Sequence, residues 1–547
     1  MTKTFASARS IAWATVLIML TGAVLVPLGR LAAEAVTGGW IPIQAALFGR
    51  GSGRAVLHTV IVAAGTTALA LPLGTALALL TERSTVPARS LFRLAALLPL
   101  VVPAFVLGFS WGQAYGPSGL TDDLVGLPLP GLFGPVGIIL VQAVNTAPLA
   151  YLIVAAGLAT RSEPDLERAA RVSGATGFDV LRSITLPLLR EPLVAAGAVL
   201  FAASMESFAV PAVLGVPAGF STMTTRMYQA LQRSAEPAAF NQAIVLALTL
   251  VVLAMIVVAP VDRHLRPAAP ATRTGGPPGA TIRRPPHLGA ALLAVVTTAY
   301  LVLAVGVPLV AMLLTSLTKA AGLAPIPANW SFVHFHDALR GPTIEALGRS
   351  AVLAAAAGVA LLALGALVSW LERRRMGRSL GPLITLTFAL PGSAVAIALL
   401  VTYGRWLGDT IAIIFIAYLA KFWTLAHRPL SGALERLPPD LQRASRASGA
   451  DRLTAWRTVT MPMLAPAFIG AFSLVFVFAL HELTMSSLLS APDTQTLAVV
   501  TLNLQQLGDR GATAALALVV TVVTFAAAAP LLLTRRFVRR RMTPNAG

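Results

Sequence analysis

Two carboxylates stand where carboxylates are costly. Glu206, in ASMESFAVPAVLG (203–215), and Glu482, in FALHELTMSSLLSAPDTQTLA (478–498), each lie in a strongly apolar run. An ionisable side chain in hydrocarbon must face a cavity or a partner, so both are candidates for the path of a polar solute. Their oxygens are hard ligands suited to a cation, and His481 beside Glu482 adds a ligand or a proton acceptor. The structural alternative is that each glutamate hydrogen-bonds a broken helix, near Pro211 in the first case, or a neighbouring span. A second cluster, His334-x-His336 with Asp337, would share one face of an extended segment. The surrounding NWSFVHFHDALRG reads more simply as an amphipathic outer segment, and no metal site is assigned. The absence of cysteine excludes disulfides, thiolate metal sites and iron–sulfur clusters. A phosphate-cradling loop needs Gly-Lys-Ser/Thr, yet none of the three lysines, Lys3, Lys319 and Lys421, follows a glycine. No paired catalytic constellation stands at a common depth. The expectation is therefore no catalytic residue, no cofactor bound by this chain and no nucleotide hydrolysis of its own.

The elements that must position these groups are spanning helices. Hydrophobic residues make up 56% of the 547 and charged residues 12%, against roughly 25% charge in soluble domains; mean hydropathy is +0.78. A spanning helix needs about 20 apolar residues. The pattern predicts spans near 11–29, 56–80, 94–112, 136–158, 192–214 and 242–261, then near 288–315, 350–370, 381–403, 410–426, 466–489 and 514–533. Lys421 interrupts the tenth. The expected architecture is an all-α polytopic membrane protein of about twelve transmembrane helices, six plus six. His427 and Arg428, at one end of the tenth span, read as interfacial residues.

The net charge of +19 would suggest nucleic acid in a soluble protein, but no soluble basic domain is left to carry it. With the N-terminus placed in the cytoplasm, most of the Lys and Arg fall in cytoplasmic segments, which is the positive-inside asymmetry and puts both termini on that side. The start, Lys3 and Arg9 before an apolar run and Ala-Ala-Glu-Ala, has the look of a secretory signal; removal would leave an odd number of helices, so an uncleaved first span is expected. Residues 262–287, rich in Pro, Gly and Arg, read as a cytoplasmic linker. It divides a first domain, 1–261, from a second, 288–547, and six spans before it make the repeats parallel.

The duplication is legible in two loops, 159–190 and 428–465. PDLERAARVSGATGFDVLRSITLP (164–187) and PDLQRASRASGADRLTAWRTVTMP (439–462) share a basic, Ala-rich helical stretch, a glycine (Gly174, Gly449) and a proline thirteen residues further on (Pro187, Pro462). Small residues let a partner approach the helix closely, and arginines can pair with its carboxylates. The glycine ends or bends the helix. An amphipathic loop lying on the membrane surface is the plainer reading; recurrence at identical offsets on one face argues against it. A basic turn also recurs after the second span of each half, Glu82-Arg83 and Glu372-Arg373.

These residues resemble the membrane permeases of binding-protein-dependent ABC importers, whose signature is Glu-Ala-Ala, three residues, Gly, nine residues, Ile, one residue, Leu-Pro. The first copy matches at Ala169, Ala170, Gly174, Ile184, Leu186 and Pro187. The second matches at Ala444, Gly449 and Pro462, with Ser445, Val459 and Met461 as substitutes. Arg168 and Arg443 occupy the acidic position, and Glu167 sits one residue earlier in the first copy. The resemblance implies the type I importer permease fold in a bacterial inner membrane. It also implies coupling helices docked on a cytoplasmic ATPase, present in two copies, that uses ATP, and a periplasmic solute-binding protein that delivers substrate. The fused form and the runs around the fifth spans look most like ferric iron permeases; phosphonate, thiamine, polyamine and sulfate permeases are relatives. An ion-coupled secondary carrier, also often built of repeated halves, would place more ionisable residues at midplane and need no matched docking loops.

Overall fold

The computed structural model describes residues 13–37, 39, 43–44, 47–49, 51–83, 89–161, 164–233, 236–265, 288–320, 322–372, 384, 386–387 and 389–542; most of the expected linker, 266–287, lies outside them. Within a bilayer the backbone must satisfy its own polar groups, and long helices do so. The first half runs α1 (Trp13–Thr37), α2 (Ser52–Arg83), α3 (Arg89–Val101), α4 (Ala104–Tyr115), α5 (Pro135–Arg161), α6 (Pro164–Val172), α7 (Gly177–Leu188), α8 (Arg190–Glu206), α9 (Met223–Arg233) and α10 (Pro237–Leu265). The second runs α11 (Ala291–Leu317), α12 (Pro342–Glu372), α13 (Gly392–Leu407), α14 (Ile411–Glu435), α15 (Pro439–Ala447), α16 (Leu453–Leu480), α17 (Thr484–Leu489), α18 (Leu497–Gln506) and α19 (Arg510–Met542).

Among the described residues nine helices are long and apolar enough to cross a membrane, and eleven spans result if each bent pair counts as one; α13 is a shorter apolar helix. All twelve expected spans thus have a helical counterpart, and the third and fifth are the bent pairs rather than straight helices. The pair α3 and α4 bends by 99° at Pro103. Proline cannot donate to the preceding turn, and the freed carbonyl of Pro99 accepts from Asn145 Nδ2 of α5 at 2.9 Å. At the corresponding Pro391, the carbonyl of Leu390 accepts from Lys421 Nζ of α14 at 2.6 Å. Lys421 therefore caps a broken neighbour, and its own helix continues for 25 residues.

The halves set by duplication are not the compact units set by packing. One unit holds residues 42–335 and 510–518; the other holds 1–41, 336–509 and 519–547. In the first, α11 lies along α4, and its π turn, Val302–Gly306, frees carbonyls for Trp111 Nε1 (to Ala304, 2.8 Å) and Tyr115 Oη (to Leu303). In the second, α1 lies along α13, and its π turn, Thr21–Leu25, offers the Gly22 carbonyl to Tyr403 Oη at 2.8 Å. Each unit thus joins the first span of one half to the remaining spans of the other.

Inside the units, small residues let helix backbones touch, as membrane packing favours. A Cβ on Gly74 of α2 would stand 2.5 Å from Ala150 Cβ of α5, and one on Gly365 of α12 would stand 3.0 Å from the His427 nitrogen of α14. His427 is consequently no interfacial residue. It is 3% exposed, with Nδ1 3.0 Å from Ser369 Oγ and Nε2 3.3 Å from Glu372 Oε2. The segment around His334 is helical over Val333–Ala338 rather than extended, so His334 and His336 do not share a face. His334 Nε2 is 3.0 Å from the Thr318 carbonyl, and its ring occupies the space left by Gly511.

Candidate functional site

The two repeated loops superimpose in chemistry as well as in sequence. The first helix of each loop, α6 or α15, starts with an aspartate in its first turn, where a negative charge complements the helix dipole. Arg168 pairs with Asp165 at 3.1 Å and Arg443 with Asp440 at 3.2 Å, all four exposed. The arginines at the signature's acidic position are thus turned back along their own helix.

Both helices end in the same way. Gly174 and Gly449 each have φ of 89°, a left-handed conformation that costs a side chain with a Cβ. Gly174 N donates to Arg171 and Ala175 N to Ala170, at 2.9 and 3.0 Å; Gly449 N donates to Arg446 and Ala450 N to Ser445, at 3.1 and 3.2 Å. These bonds close the last carbonyls around a glycine C-cap. The residue that caps the next helix stands two residues on, Thr176 in the first loop and Asp451 in the second. In the first loop the Thr176 hydroxyl accepts from Asp179 N at 3.3 Å, while the Asp179 carboxylate accepts from Thr176 N at 2.9 Å. In the second the types are exchanged: Asp451 accepts from Thr454 N at 2.9 Å. Hydrogen bonds from Thr454, side chain first and backbone second, hold the Asp451 carboxyl below its ordinary value of 3.8. A π turn follows in each loop, Leu181–Thr185 and Trp456–Thr460, just before Pro187 or Pro462.

What these loops leave uncovered is apolar and basic. Val172 is 90% exposed, and Leu166, Phe178, Leu441, Leu453 and Trp456 are exposed beside Ala169, Ala444 and the arginines. Ala170, Ile184, Leu186, Ser445 and Val459 are half-buried, whereas Pro187, Met461 and Pro462 face outward. Exposed apolar patches rimmed by charge mark surfaces that bind another macromolecule.

The residue just before the signature turns inward instead. Glu167 is 2% exposed; Arg83 Nη1, at the end of α2, lies 2.8 Å from both of its oxygens, and Thr185 Oγ1 donates to it at 3.3 Å. Sequence reasoning placed Glu167 in the loop but missed Arg83 and Thr185 as its partners. Recurrence of a basic residue after the second span and of a threonine before the Leu-Pro or Met-Pro step was the available signal.

The intramembrane carboxylates stand at helix breaks. Glu206 is half-buried at the end of α8, which stops at Ser207 with ψ of 126°. Glu482 lies between α16 and α17, and its oxygens accept from Met485 N at 2.7 Å and from Ser486 N and Oγ at 2.9 Å each. Tyr418 Oη is 2.9 Å from Ser486 Oγ, a link the sequence did not reveal. Glu482 thus caps the restarted helix. His481 is half-buried beside the Phe478 ring, and among the described residues no group of three or more His, Cys, Asp or Glu side chains could hold a metal.

A helical body of many spans carrying two matched loops is the architecture of a membrane permease. The chain belongs to the family described as the binding-protein-dependent transport system inner membrane component, whose model matches it twice, over residues 70–267 and 362–543. It is the permease component of an ABC importer. It is similar to the Fe(3+)-transport system permease protein FbpB 2 of Haemophilus influenzae, 26% identical over 500 residues, covering 89% of this chain and 91% of that protein. The ferric transport system permease protein FbpB of Actinobacillus pleuropneumoniae is 23% identical over 83% of this chain and 67% of its own length. The molybdenum transport system permease protein ModB of Mycobacterium bovis is 31% identical over 232 residues, 42% of this chain and 85% of its own.

Proposed function

We propose that the chain passes ferric iron from a periplasmic solute-binding protein to the cytoplasm, driven by two copies of a separate cytoplasmic ABC ATPase. The observation carrying the transport reading is the pair of loops with one backbone: the same glycine φ, the same closing bonds and the same π turn, 275 residues apart. Two equivalent handles suit a motor of two equivalent subunits. Both termini and both loops lie on the cytoplasmic side in this reading, as the basic residues require. Ferric iron is favoured because a ferric permease matches both halves, whereas the molybdenum permease matches a single half-length.

Glu167, Arg168, Ala169, Ala170, Gly174, Ile184, Leu186 and Pro187 form the first coupling loop. Arg443, Ala444, Ser445, Gly449, Val459, Met461 and Pro462 form the second. ATP-driven closure of the ATPase moves both loops and, through Pro187 and Pro462, the fifth spans behind them. Those spans break at Glu206 and Glu482, which we place along the pathway as groups that shape it, with His481 beside the second.

The test is uptake of radiolabelled ferric iron by the permease reconstituted with its ATPase and binding protein. Uptake that requires all three components and ATP is the expected result; a binding protein that retains another solute and not ferric iron overturns the substrate. Glu206→Gln with Glu482→Gln should lower uptake at least about tenfold while insertion and assembly persist. Unchanged uptake in that double variant would leave the carboxylates outside the transport cycle.

A further inference from the structure

The buried ion pair at Glu167 ties together three elements, and the sequence of the second loop has no carboxylate at the corresponding position. Arg83 is the last residue of α2, the second span. Glu167 lies in the first turn of the docking helix α6. Thr185 closes the π turn that leads into the fifth span. Arg83 is 12% exposed, and among the described residues its buried Nε and Nη2 have no hydrogen-bond partner and Glu167 is its counter-charge. Breaking a buried pair by removing one partner leaves an uncompensated charge, which makes the contact stiff.

The position corresponding to Glu167 in the second loop, 275 residues on, is Gln442, which carries no charge. There the carboxylate at the end of the second span, Glu372 of α12, is engaged by His427 and by Ser431 Oγ (3.2 Å), both on α14. Among the described residues it braces one span against another.

We infer that Arg83, Glu167 and Thr185 form a strut that fixes the first docking helix to the second and fifth spans at once, so that the two loops transmit the ATPase stroke unequally, the first with less slack. This rests on the coupling reading above. Arg83 and Glu167 are then positioning residues of the transport cycle: they hold the handle in place without touching ATPase or substrate. A stroke delivered to α6 moves both attached spans together. With the strut cut, α6 can rock and part of the stroke is lost.

The experiment measures transport per ATP hydrolysed, at equal amounts of assembled complex, in liposomes containing permease, ATPase and ferric-loaded binding protein. Glu167→Gln and Arg83→Gln should each lower that ratio about tenfold, within the span of ordinary coupling free energies. The exchange Arg83→Glu with Glu167→Arg should recover at least half of it, because the pair is re-formed with its charges reversed. Thr185→Val, which removes only the 3.3 Å hydroxyl contact, should lower the ratio about twofold. A merely structural pair would change the yield of complex and leave the ratio of what assembles at its original value; that result overturns the strut, as does an exchange that restores assembly but not the ratio. Substituting Gly174 and Gly449 separates this from the underlying reading. If those variants uncouple while the Glu167 and Arg83 variants keep the original ratio, only the strut falls; if the glycine variants stay coupled, the coupling reading itself falls.

Discussion

The two repeated loops share a backbone and differ in what holds it. Glycine, π turn and proline recur at one offset, and Gly174 and Gly449 have the same φ. The side-chain attachments have diverged: an inward carboxylate in one loop stands where the other has Gln442, and the capping pair Thr176 with Asp179 is reversed as Asp451 with Thr454. The backbone geometry is therefore the same in both copies, while the side chains that brace it differ. The loops should be equal in shape and unequal in stiffness.

The hardest blow to the shared part is a side chain at both glycines. Nothing lies within 4 Å of a Cβ built on Gly174 or Gly449, so the first side-chain atom meets no neighbour, and the cost of adding it is the left-handed backbone, roughly 1–2 kcal/mol at each site. The double substitution to Leu should abolish ATP-driven uptake while the protein still inserts in the membrane; normal uptake would end the assignment of these loops. The single variants sharpen the comparison. Gly174→Leu disturbs the braced loop and should cost more transport per ATP than Gly449→Leu.

The next test tries to make the loops alike. Gln442→Glu gives the second docking helix the carboxylate of the first, and Arg373 follows Glu372 as Arg83 follows Glu82. A pair formed there should raise transport per ATP by about twofold or less, because a new ion pair near water stabilises by only about 1 kcal/mol or less. A fall of tenfold instead would mean that the second loop works through its freedom to move.

Much of this architecture was legible because hydrophobic runs, glycines and prolines act locally. The six-plus-six pattern, the paired loops and the glycine C-caps follow from composition and spacing, and the fold and family agree with them. Contacts between distant segments were not legible. Lys421 looked like an interruption of its span, since nothing local says that Leu390 loses its helical donor at Pro391. His427 looked interfacial because its partners, Ser369 and Glu372, lie on another helix. The exchange of first spans between the packed units depends on tyrosines meeting π-turn carbonyls almost 200 residues away or more, and no periodicity encodes that. For the intramembrane glutamates the sequence offered two readings, and Glu482 follows the structural one as a helix cap.

The smallest expected difference lies in how acid attacks the two helix starts. In the second loop the Asp451 carboxylate accepts the Thr454 amide, and its folded pKa is depressed below 3.8. A depressed carboxylate stabilises the folded form fully above the ordinary value, and that contribution is lost as pH falls below 3.8 through the lower folded value. Protection of the Thr454 amide against hydrogen exchange, corrected for intrinsic rate, should therefore be flat from neutral pH to about 5 and decline only below about 4. Asp451→Asn keeps a good cap and should remove the decline, whereas Asp451→Ala should lower protection at every pH. In the first loop the helix-side amide, Asp179 N, is held by the Thr176 hydroxyl, which does not titrate in this range. Acid there should release the Thr176 amide, which the Asp179 carboxylate accepts, and spare Asp179 N. The same acid should thus loosen opposite ends of two otherwise matching turns, and equal responses at Thr454 and Asp179 would show that the reversal of the capping pair has no physical consequence.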